Sequence, residues 1–123
     1  MTIRTGTVAR RRALFDEASE IIEREFSQPI ELDDVARRLA TSRRQLQRAF
    51  SEAGATSFRT HVAKVRMRRA LELLREGRLP VRDVANSVGY RQPAQFAKTF
   101  RRHHGAPPSS FRGAVAAGNG RVH

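Results

Sequence analysis

The apolar residues of this chain recur every three to four positions, which is the spacing of one helix face. The clearest stripe consists of Leu14, Ala18, Ile21, Ile22 and Phe26. The same spacing, interrupted by glycine and proline, predicts helices over residues 9–26, 32–40, 43–53, 58–75, 81–88 and 93–103, and a last short turn containing Phe111. No segment alternates apolar and polar residues as a half-buried strand does, so the predicted fold class is all-α.

Local signals mark several helix ends. Ser42 precedes the predicted helix 43–53 and is a favoured N-cap residue, and Gly54 follows that helix as a predicted stop. Pro93 is predicted to begin its helix rather than break it, because a proline at the first helical position removes no hydrogen bond and already has a helical φ. Gln92 is then the N-cap, although glutamine is a poor residue for that role.

Two segments of the chain repeat each other. Residues 35–50 read VARRLATSRRQLQRAF, and residues 84–100 read VANSVGYRQPAQFAKTF. The second copy is one residue longer, and the additional residue lies in the turn between two predicted helices. Each copy has the pattern of a helix-turn-helix, with a small residue at the helix crossing, a short turn, and a second helix that buries two apolar residues.

The buried positions of the two copies correspond. The crossing residues are Ala36 and Ala85, the turn residues are Ala40 and Gly89, and the buried residues of the second helices are Leu46, Phe50, Phe96 and Phe100. Glycine suits the left-handed conformation that such a turn needs, so Ala40 is a mild departure. The opposite face of the second helix is left for a ligand, and in the first copy it carries Arg43, Arg44, Gln47, Arg48 and Ser51. Arginine can form two hydrogen bonds to guanine, and glutamine can do the same to adenine.

The charge distribution indicates a polyanionic partner. The 123-residue chain has a net charge of +12, with 24 Lys and Arg against 12 Asp and Glu. Residues 35–71 carry ten basic side chains and a single acid, and residues 84–123 carry six basic side chains and no acid. Because these two basic segments contain the two repeats, each repeat is expected to contact nucleic acid. Charge that serves solubility alone would not require acids to be missing from these segments.

Three segments together resemble the DNA-binding domain of AraC/XylS transcription regulators. They are LDDVARRLATSRRQLQRAF, VRMRRALELL and LPVRDVANSVGYRQPAQFAKTFRRHHGAPPSSFR, and the resemblance covers about residues 14–112. It implies an all-α fold of about seven helices, with two helix-turn-helix subdomains joined by a long central helix. It also implies that the recognition helices, about 43–53 and 93–103, enter successive major grooves of double-stranded DNA.

The resemblance also implies domain boundaries. We expect a flexible N-terminus over 1–7, a first helix-turn-helix subdomain over 8–57, a linker helix over 58–76, a second subdomain over 77–112 and a flexible tail over 113–123. A helix of this linker's size spans about 27 Å at about 1.5 Å per residue, and one turn of B-DNA is about 34 Å. Such a linker suits two readers held one turn apart, so we expect a monomer to bind an asymmetric site.

Roles for individual residues follow from the resemblance. The implied base-reading residues are Arg44, Gln47, Arg48, Pro93, Ala94, Gln95 and Lys98. The implied phosphate contacts are Arg43, Ser51, Arg91, Arg101 and Arg102, together with Arg66 in the linker helix. A structural bridge between the subdomains is at least as good an interpretation of Arg66. Two residues depart from the family pattern: Ala55 stands where glycine is common, and His104, which we expect to be a packing residue, stands where an aromatic residue is usual.

The second recognition helix begins with Pro93 and Ala94, which offer few hydrogen-bond donors. We therefore expect the first motif to carry most of the direct reading. The predicted function is sequence-specific regulation of transcription by a cytoplasmic, nucleoid-associated protein that binds double-stranded DNA, with RNA polymerase as a further partner. The alternative is a non-specific nucleoid-associated or RNA-binding protein, which would use the same charge. The short chain, beginning at Met1, favours a stand-alone activator, and the alternative is the C-terminal domain of a longer regulator.

Other chemistry has no support in the sequence. With no cysteine, the chain has no thiol nucleophile, disulfide or cysteine-bound zinc. The four histidines, His61, His103, His104 and His123, have no metal-binding spacing. No glycine-rich phosphate loop, carboxylate pair or nucleophile–base arrangement stands out, so we expect no enzyme activity, cofactor or metal. No apolar run approaches the roughly 18 to 20 residues that span a bilayer, so no membrane partner is expected.

Overall fold

The computed structural model describes the backbone of residues 2–113 and the side chains of residues 6–113. The helices, in chain order, are α1 (Thr2–Glu25), α2 (Leu32–Arg38), α3 (Arg43–Gly54), α4 (Phe58–Glu76), α5 (Val81–Ser87) and α6 (Pro93–His104), followed by a 3₁₀ helix (Pro108–Ser110). Within these described residues there is no strand. The predicted all-α fold is confirmed, and six α-helices plus one 3₁₀ helix agree with the expected number.

The first helix is longer than predicted. It begins at Thr2, so residues 2–7 of the predicted flexible N-terminus belong to α1, while Met1 lies outside the described residues. The polar start of the chain gives no apolar stripe, but once a helix exists each added residue also adds a hydrogen bond. The predicted tail, 113–123, lies outside the described residues except for Gly113. The flexibility of both ends stays a prediction.

The chain divides into two compact units, one up to Val62 and one from Ala63 onward, so the division falls within α4. The subdomain boundaries given above stay predictions. In the first unit, the buried core is formed by Ala18, Ile21, Ile22, Val35, Ala36, Leu46, Ala49, Phe50 and Val62. The Phe50 ring is the centre of an aromatic cluster, with ring centroids at 5.1 Å from Phe15, 5.6 Å from Phe58 and 5.7 Å from His61. Edge-on packing of this kind adds to the apolar burial of the rings.

Gly54 does not stop α3, which corrects the prediction. It is the last residue of that helix, and the left-handed C-cap is Ala55, with a φ of 53°. A Cβ atom at Gly54 would overlap the ring of Phe15 in α1, so glycine is needed here for close packing of two helices. The cap therefore stays at the position where the family often has glycine, and alanine adopts the unfavourable backbone conformation there.

In the second unit, the buried core is formed by Val65, Met67, Ala70, Leu74, Val84, Ala85, Val88, Phe96, Thr99 and Phe100. His104 packs in this unit as predicted. Its Nε2 atom lies 3.0 Å from the carbonyl oxygen of Met67, and its ring centroid lies 4.5 Å from that of Phe100. The chain after α6 is tied back by Arg112, whose Nε donates to the carbonyl of Leu79 at 3.0 Å.

Candidate nucleic-acid interface

The two helix-turn-helix motifs have the same backbone hydrogen bonds through the turn. In the first, the N–H of Thr41 donates to the carbonyl of Ala36 at 2.9 Å, and in the second Tyr90 donates to Ala85 at the same distance. These turn residues are 49 positions apart, whereas the N-caps of the second helices, Ser42 and Gln92, are 50 apart. The additional residue of the second copy therefore lies after Tyr90 and before the N-cap, so the motif geometry survives the insertion.

The second helix of each motif begins as the sequence predicts. The Ser42 hydroxyl accepts a hydrogen bond from the N–H of Gln45 at 3.0 Å, which caps α3. Pro93 is the first residue of α6, and the Gln92 side chain makes no capping hydrogen bond. The fixed φ of proline therefore replaces the missing side-chain cap in the second motif.

The outer face of α3 carries the residues that the sequence analysis assigns to DNA. All of them are exposed, and they are Arg43, Arg44, Gln47, Arg48 and Ser51. Leu46, Ala49 and Phe50 point to the core from the other side of the same helix. The helix therefore separates an apolar face from a face of long hydrogen-bonding side chains, as recognition by an inserted helix requires.

Two of the α3 arginines are held by carboxylates. The Nη1 atom of Arg43 lies 2.8 Å from Oδ1 of Asp33 in α2. The Nε atom of Arg48 lies 3.8 Å from Oε2 of Glu52, one helical turn further along α3. Glu52 also forms an ion pair with Arg11 of α1. These exposed ion pairs favour one orientation of each arginine on the helix surface.

The outer face of α6 differs in chemistry from that of α3. Its exposed residues include Pro93, Ala94, Gln95 and Lys98, and Arg91, Arg101 and Arg102 are exposed at its two ends. Its last turn is basic throughout, with Arg101, Arg102, His103 and His104. Phe96 and Phe100 are fully buried beneath it. This helix thus combines an apolar leading end with a concentrated positive charge at the other.

Arg66 makes a structural contact. Its Cζ atom lies 5.6 Å from the centroid of the Tyr90 ring, and its side chain is half-buried. A guanidinium over an aromatic face is a favourable cation–π arrangement. Both residues lie in the second unit, so this contact is a structural one within that unit, and the bridge between the subdomains stays a prediction. A phosphate contact by Arg66 stays a prediction.

A groove beside α3 adds residues that the sequence analysis missed. It has a volume of about 480 Å³ and is lined by Leu32, Arg43, Gln47, Ser51, Thr56, Ser57, Phe58 and Arg59. Ser57 caps the start of α4, since its hydroxyl accepts from the N–H of Thr60 at 3.1 Å. In the sequence, the capping residue Ser57 shortly after the recognition helix was the available signal that a second helix, carrying Arg59, begins beside α3. The groove places Arg59 beside the proposed DNA-binding residues of α3.

In the last turn of α6, the pKa of His103 is shifted. Partial burial lowers the pKa of His103 below its ordinary 6.5, and the positive charges of His104, Arg102 and Lys64 lower it further. Neutral His103 is therefore the favoured form at neutral pH.

The described residues also bear on metal binding and on membrane insertion. Within them, no three His, Cys, Asp or Glu side chains form a group that could hold a metal ion. Among the helices described above, none is long and apolar enough to span a membrane.

Comparison with known proteins identifies the family. A family model described as a helix-turn-helix domain matches residues 35–114. The chain is 30% identical over 101 residues to the Msm operon regulatory protein of Streptococcus mutans. The aligned residues make up 82% of this chain and 36% of that protein. The chain thus spans about a third of the length of this relative. It belongs to the AraC-type helix-turn-helix family, which consists of DNA-binding domains of transcription regulators.

Solved structures agree. A transcriptional regulator from Chromobacterium violaceum with an AraC-type DNA-binding domain superposes with a TM-score of 0.80 at 27% identity, covering 88% of this chain and 96% of that one. The DNA-binding domain of the global transcriptional factor AdpA, determined in complex with a target DNA, has the same fold, with a TM-score of 0.77 at 24% identity over 87% of this chain and 96% of that one. The resemblance to AraC/XylS regulators is therefore confirmed.

Proposed function

We propose that this chain regulates transcription by binding a specific double-stranded DNA site with α3 and α6, which enter successive major grooves. The observation that carries the proposal is the repeated motif: two helix-turn-helix units with matching turn hydrogen bonds each expose a helix face opposite the core. The AdpA domain, which has the same fold, was determined with a target DNA.

Direct reading of bases is assigned mainly to α3. Arg44, Gln47 and Arg48 are exposed and have the donor geometry that recognises guanine or adenine in the major groove. In α6, Pro93 and Ala94 offer apolar contact to thymine methyl groups. Gln95 and Lys98 are the polar readers of that helix. The specificity of the whole domain therefore depends more on the first motif than on the second.

Phosphate contacts are assigned to five arginines and to the hydroxyl group of Ser51. They are Arg43, Ser51, Arg66, Arg91, Arg101 and Arg102, and the groove adds Arg59. Such contacts release condensed counterions, so affinity should fall steeply as salt rises. They position the protein on the duplex but carry no direct sequence information.

Selection of bound sequences from a random duplex pool tests the proposal. A specific regulator should recover one site and bind it about 10³-fold or more above background DNA. A chain that never prefers any duplex by tenfold would instead be the non-specific nucleoid-associated or RNA-binding protein considered above. Competition of RNA against the bound duplex distinguishes a nucleoid-associated protein from an RNA-binding one.

Substitutions then separate the two classes of contact. Arg44→Ala or Gln47→Ala should relax preference at one or two base pairs, at about 1–3 kcal/mol each. Arg102→Ala should weaken the selected site and random DNA alike and reduce the salt slope. Equal losses on both DNAs for Arg44→Ala would remove that residue from the base-reading role.

The remaining partners are proposals of the same kind. A monomer should suffice, because one chain carries two recognition helices, and sedimentation of the protein–DNA complex measures the ratio. RNA polymerase is a proposed partner, tested by transcription from a template with the selected site. The family is not an enzyme class, and we propose that this chain catalyses no reaction and acts in the cytoplasm with the nucleoid.

A further inference from the structure

We propose that Glu52 is a positioning residue that orients Arg48 for base reading. We also propose that α1, through Arg11, positions the carboxylate of Glu52. The inference rests on the proposed function, because it assumes that Arg48 reads a base. Glu52 lies on the recognition helix α3 and its carboxylate engages two arginines, Arg48 on the same helix and Arg11 on α1. A residue outside the DNA-contacting set would therefore control the sequence preference.

Of the three side chains that form these two ion pairs, Arg11 is the least exposed. The Arg11 side chain is 18% exposed, whereas those of Glu52 and Arg48 are 46% and 50% exposed. The Nε atom of Arg11 is buried and has no hydrogen-bond partner in the structure. Because a mostly buried guanidinium needs an opposite charge, the ion pair with Glu52 compensates the charge of Arg11 and draws the carboxylate toward α1.

Two neighbouring contacts fix the same end of α3 against α1. Arg12 donates from Nη1 to the carbonyl oxygen of Ala53 at 3.2 Å. The ring of Phe15 packs so closely on Gly54 that no side chain fits there. Three consecutive residues of α3, ending at Gly54, thus have partners on α1. The carboxylate of Glu52 is therefore a fixed reference point on the recognition helix.

The second oxygen of this carboxylate lies 3.8 Å from Nε of Arg48. An arginine attracted through Nε keeps both terminal nitrogens for the two hydrogen bonds that identify guanine. A long side chain loses rotamer freedom when it binds, and an ion pair that has already restricted it reduces that loss. Glu52 also repels phosphate, so Arg48 is less available to the DNA backbone than an unpaired arginine would be.

The test is a base-preference profile of Glu52→Gln on the selected site and its single-base variants. We expect preference at the base pair read by Arg48 to fall by about two- to fivefold, the size expected of a half-exposed ion pair. Preferences at the other positions should be unchanged. Arg11→Gln, which removes the anchor on α1, should lower preference at the same base pair.

Glu72→Gln is the matched control. Glu72 forms an ion pair with Arg69 on α4 at 2.9 Å, so the substitution removes the same charge from a similar pair outside α3. It should raise affinity for all DNA slightly and leave the base profile unchanged. In an Arg48→Ala background, Glu52→Gln should have no further effect on the profile.

The outcomes separate the inference from its premise. If Arg48→Ala changes preference at one base pair but Glu52→Gln changes none, or alters specific and random DNA alike, Glu52 is not a positioning residue. If Arg48→Ala changes no preference, the reading role of Arg48 fails instead. Thermal unfolding of each variant identifies any that lose the fold, and for these the charge-conserving Glu52→Asp, which shortens the reach to Arg48, provides the second comparison.

Discussion

The two recognition helices have the same buried pattern, but they differ in whether their basic side chains are paired with acids. α3 has an arginine paired with Asp33 at its start and another paired with Glu52 near its end. The segment around α6 contains no acid, since residues 84–123 have none, and its last turn carries Arg101 and Arg102. We interpret Arg48, which is paired with Glu52, as suited to selective reading, and the unopposed charge at the end of α6 as suited to phosphate. Repetition of a core thus does not imply repetition of a function.

The two motifs also differ at their left-handed residues. The first has Ala40, with a φ of 54°, in the turn and Ala55 at the end of α3. The second has Gly89 and Gly105 at the corresponding places. An L-residue in this region is disfavoured by about 1–2 kcal/mol relative to glycine, so the first motif stores strain that the second avoids. The following predictions test whether the two units differ in these ways.

The largest effect is expected from loss of a central ring. Phe50→Ala and Phe100→Ala should each destabilise by about 3–5 kcal/mol, because both side chains are fully buried. Hydrogen exchange should show Phe50→Ala exposing amides of α1 and α3, and Phe100→Ala exposing those of α5 and α6. Equal exposure of all helices by either variant would show that the two units unfold as one.

Gly54→Ala should destabilise the first unit by about 1–3 kcal/mol, because the new methyl group overlaps the ring of Phe15. Gly6→Ala is the matched control in α1, since nothing lies within 4 Å of the position of its Cβ. The control should be neutral or slightly stabilising, as alanine is the better helix residue. Urea denaturation of both variants measures the contrast, and a neutral Gly54→Ala would contradict the close approach of α1 and α3.

Exchange of the C-cap residues should have opposite signs in the two units. Ala55→Gly should stabilise by up to about 1 kcal/mol by relieving the left-handed backbone, and Gly105→Ala should destabilise by about 1 kcal/mol or slightly more. No atom lies within 4 Å of a Cβ at Gly105, so the second effect is purely conformational. Thermal unfolding compares the two, and the same sign for both would overturn the strain interpretation.

The smallest effect is expected from pH. Since burial lowers the pKa of His103, folding favours the neutral imidazole. The resulting contribution to the stability of the fold is present above about pH 6.5 and is lost as the pH falls through the pKa of the folded state. The hydrogen bond from Arg38 lowers the pKa of Glu25, so that contribution is present above about 4.5 and lost at lower pH. Acid should therefore weaken the second unit at a higher pH than the first.

His103→Gln and Glu25→Gln separate these two contributions. The first should flatten the stability profile only where pH falls below about 6.5, and the second only below about 4.5. Hydrogen exchange measured across this range assigns each loss to one unit. Loss of both units over one common pH range would contradict the assignment.

Much of the fold was predictable because its signals are local. The apolar spacing places Leu46 and Phe50 inside, Ser42 caps α3, and Pro93 begins α6, as the structure confirms. The early start of α1 was not predictable, because its polar first turns carry no apolar stripe. The exposure of the proposed DNA-contacting residues on α3 and α6 also follows from the same spacing, while their individual roles stay predictions.

The sequence by itself determined the helices, the repeat, and the charge of the two recognition faces, since each depends on residues within a few positions of one another. Only the tertiary structure decided why Gly54 is glycine, why Ala55 is left-handed, and which cations are already paired. Arg11 and Glu52 are 41 positions apart, and Arg66 meets Tyr90 only through packing of α4 beside the second turn. No local periodicity encodes such contacts, because they depend on how separate helices approach each other.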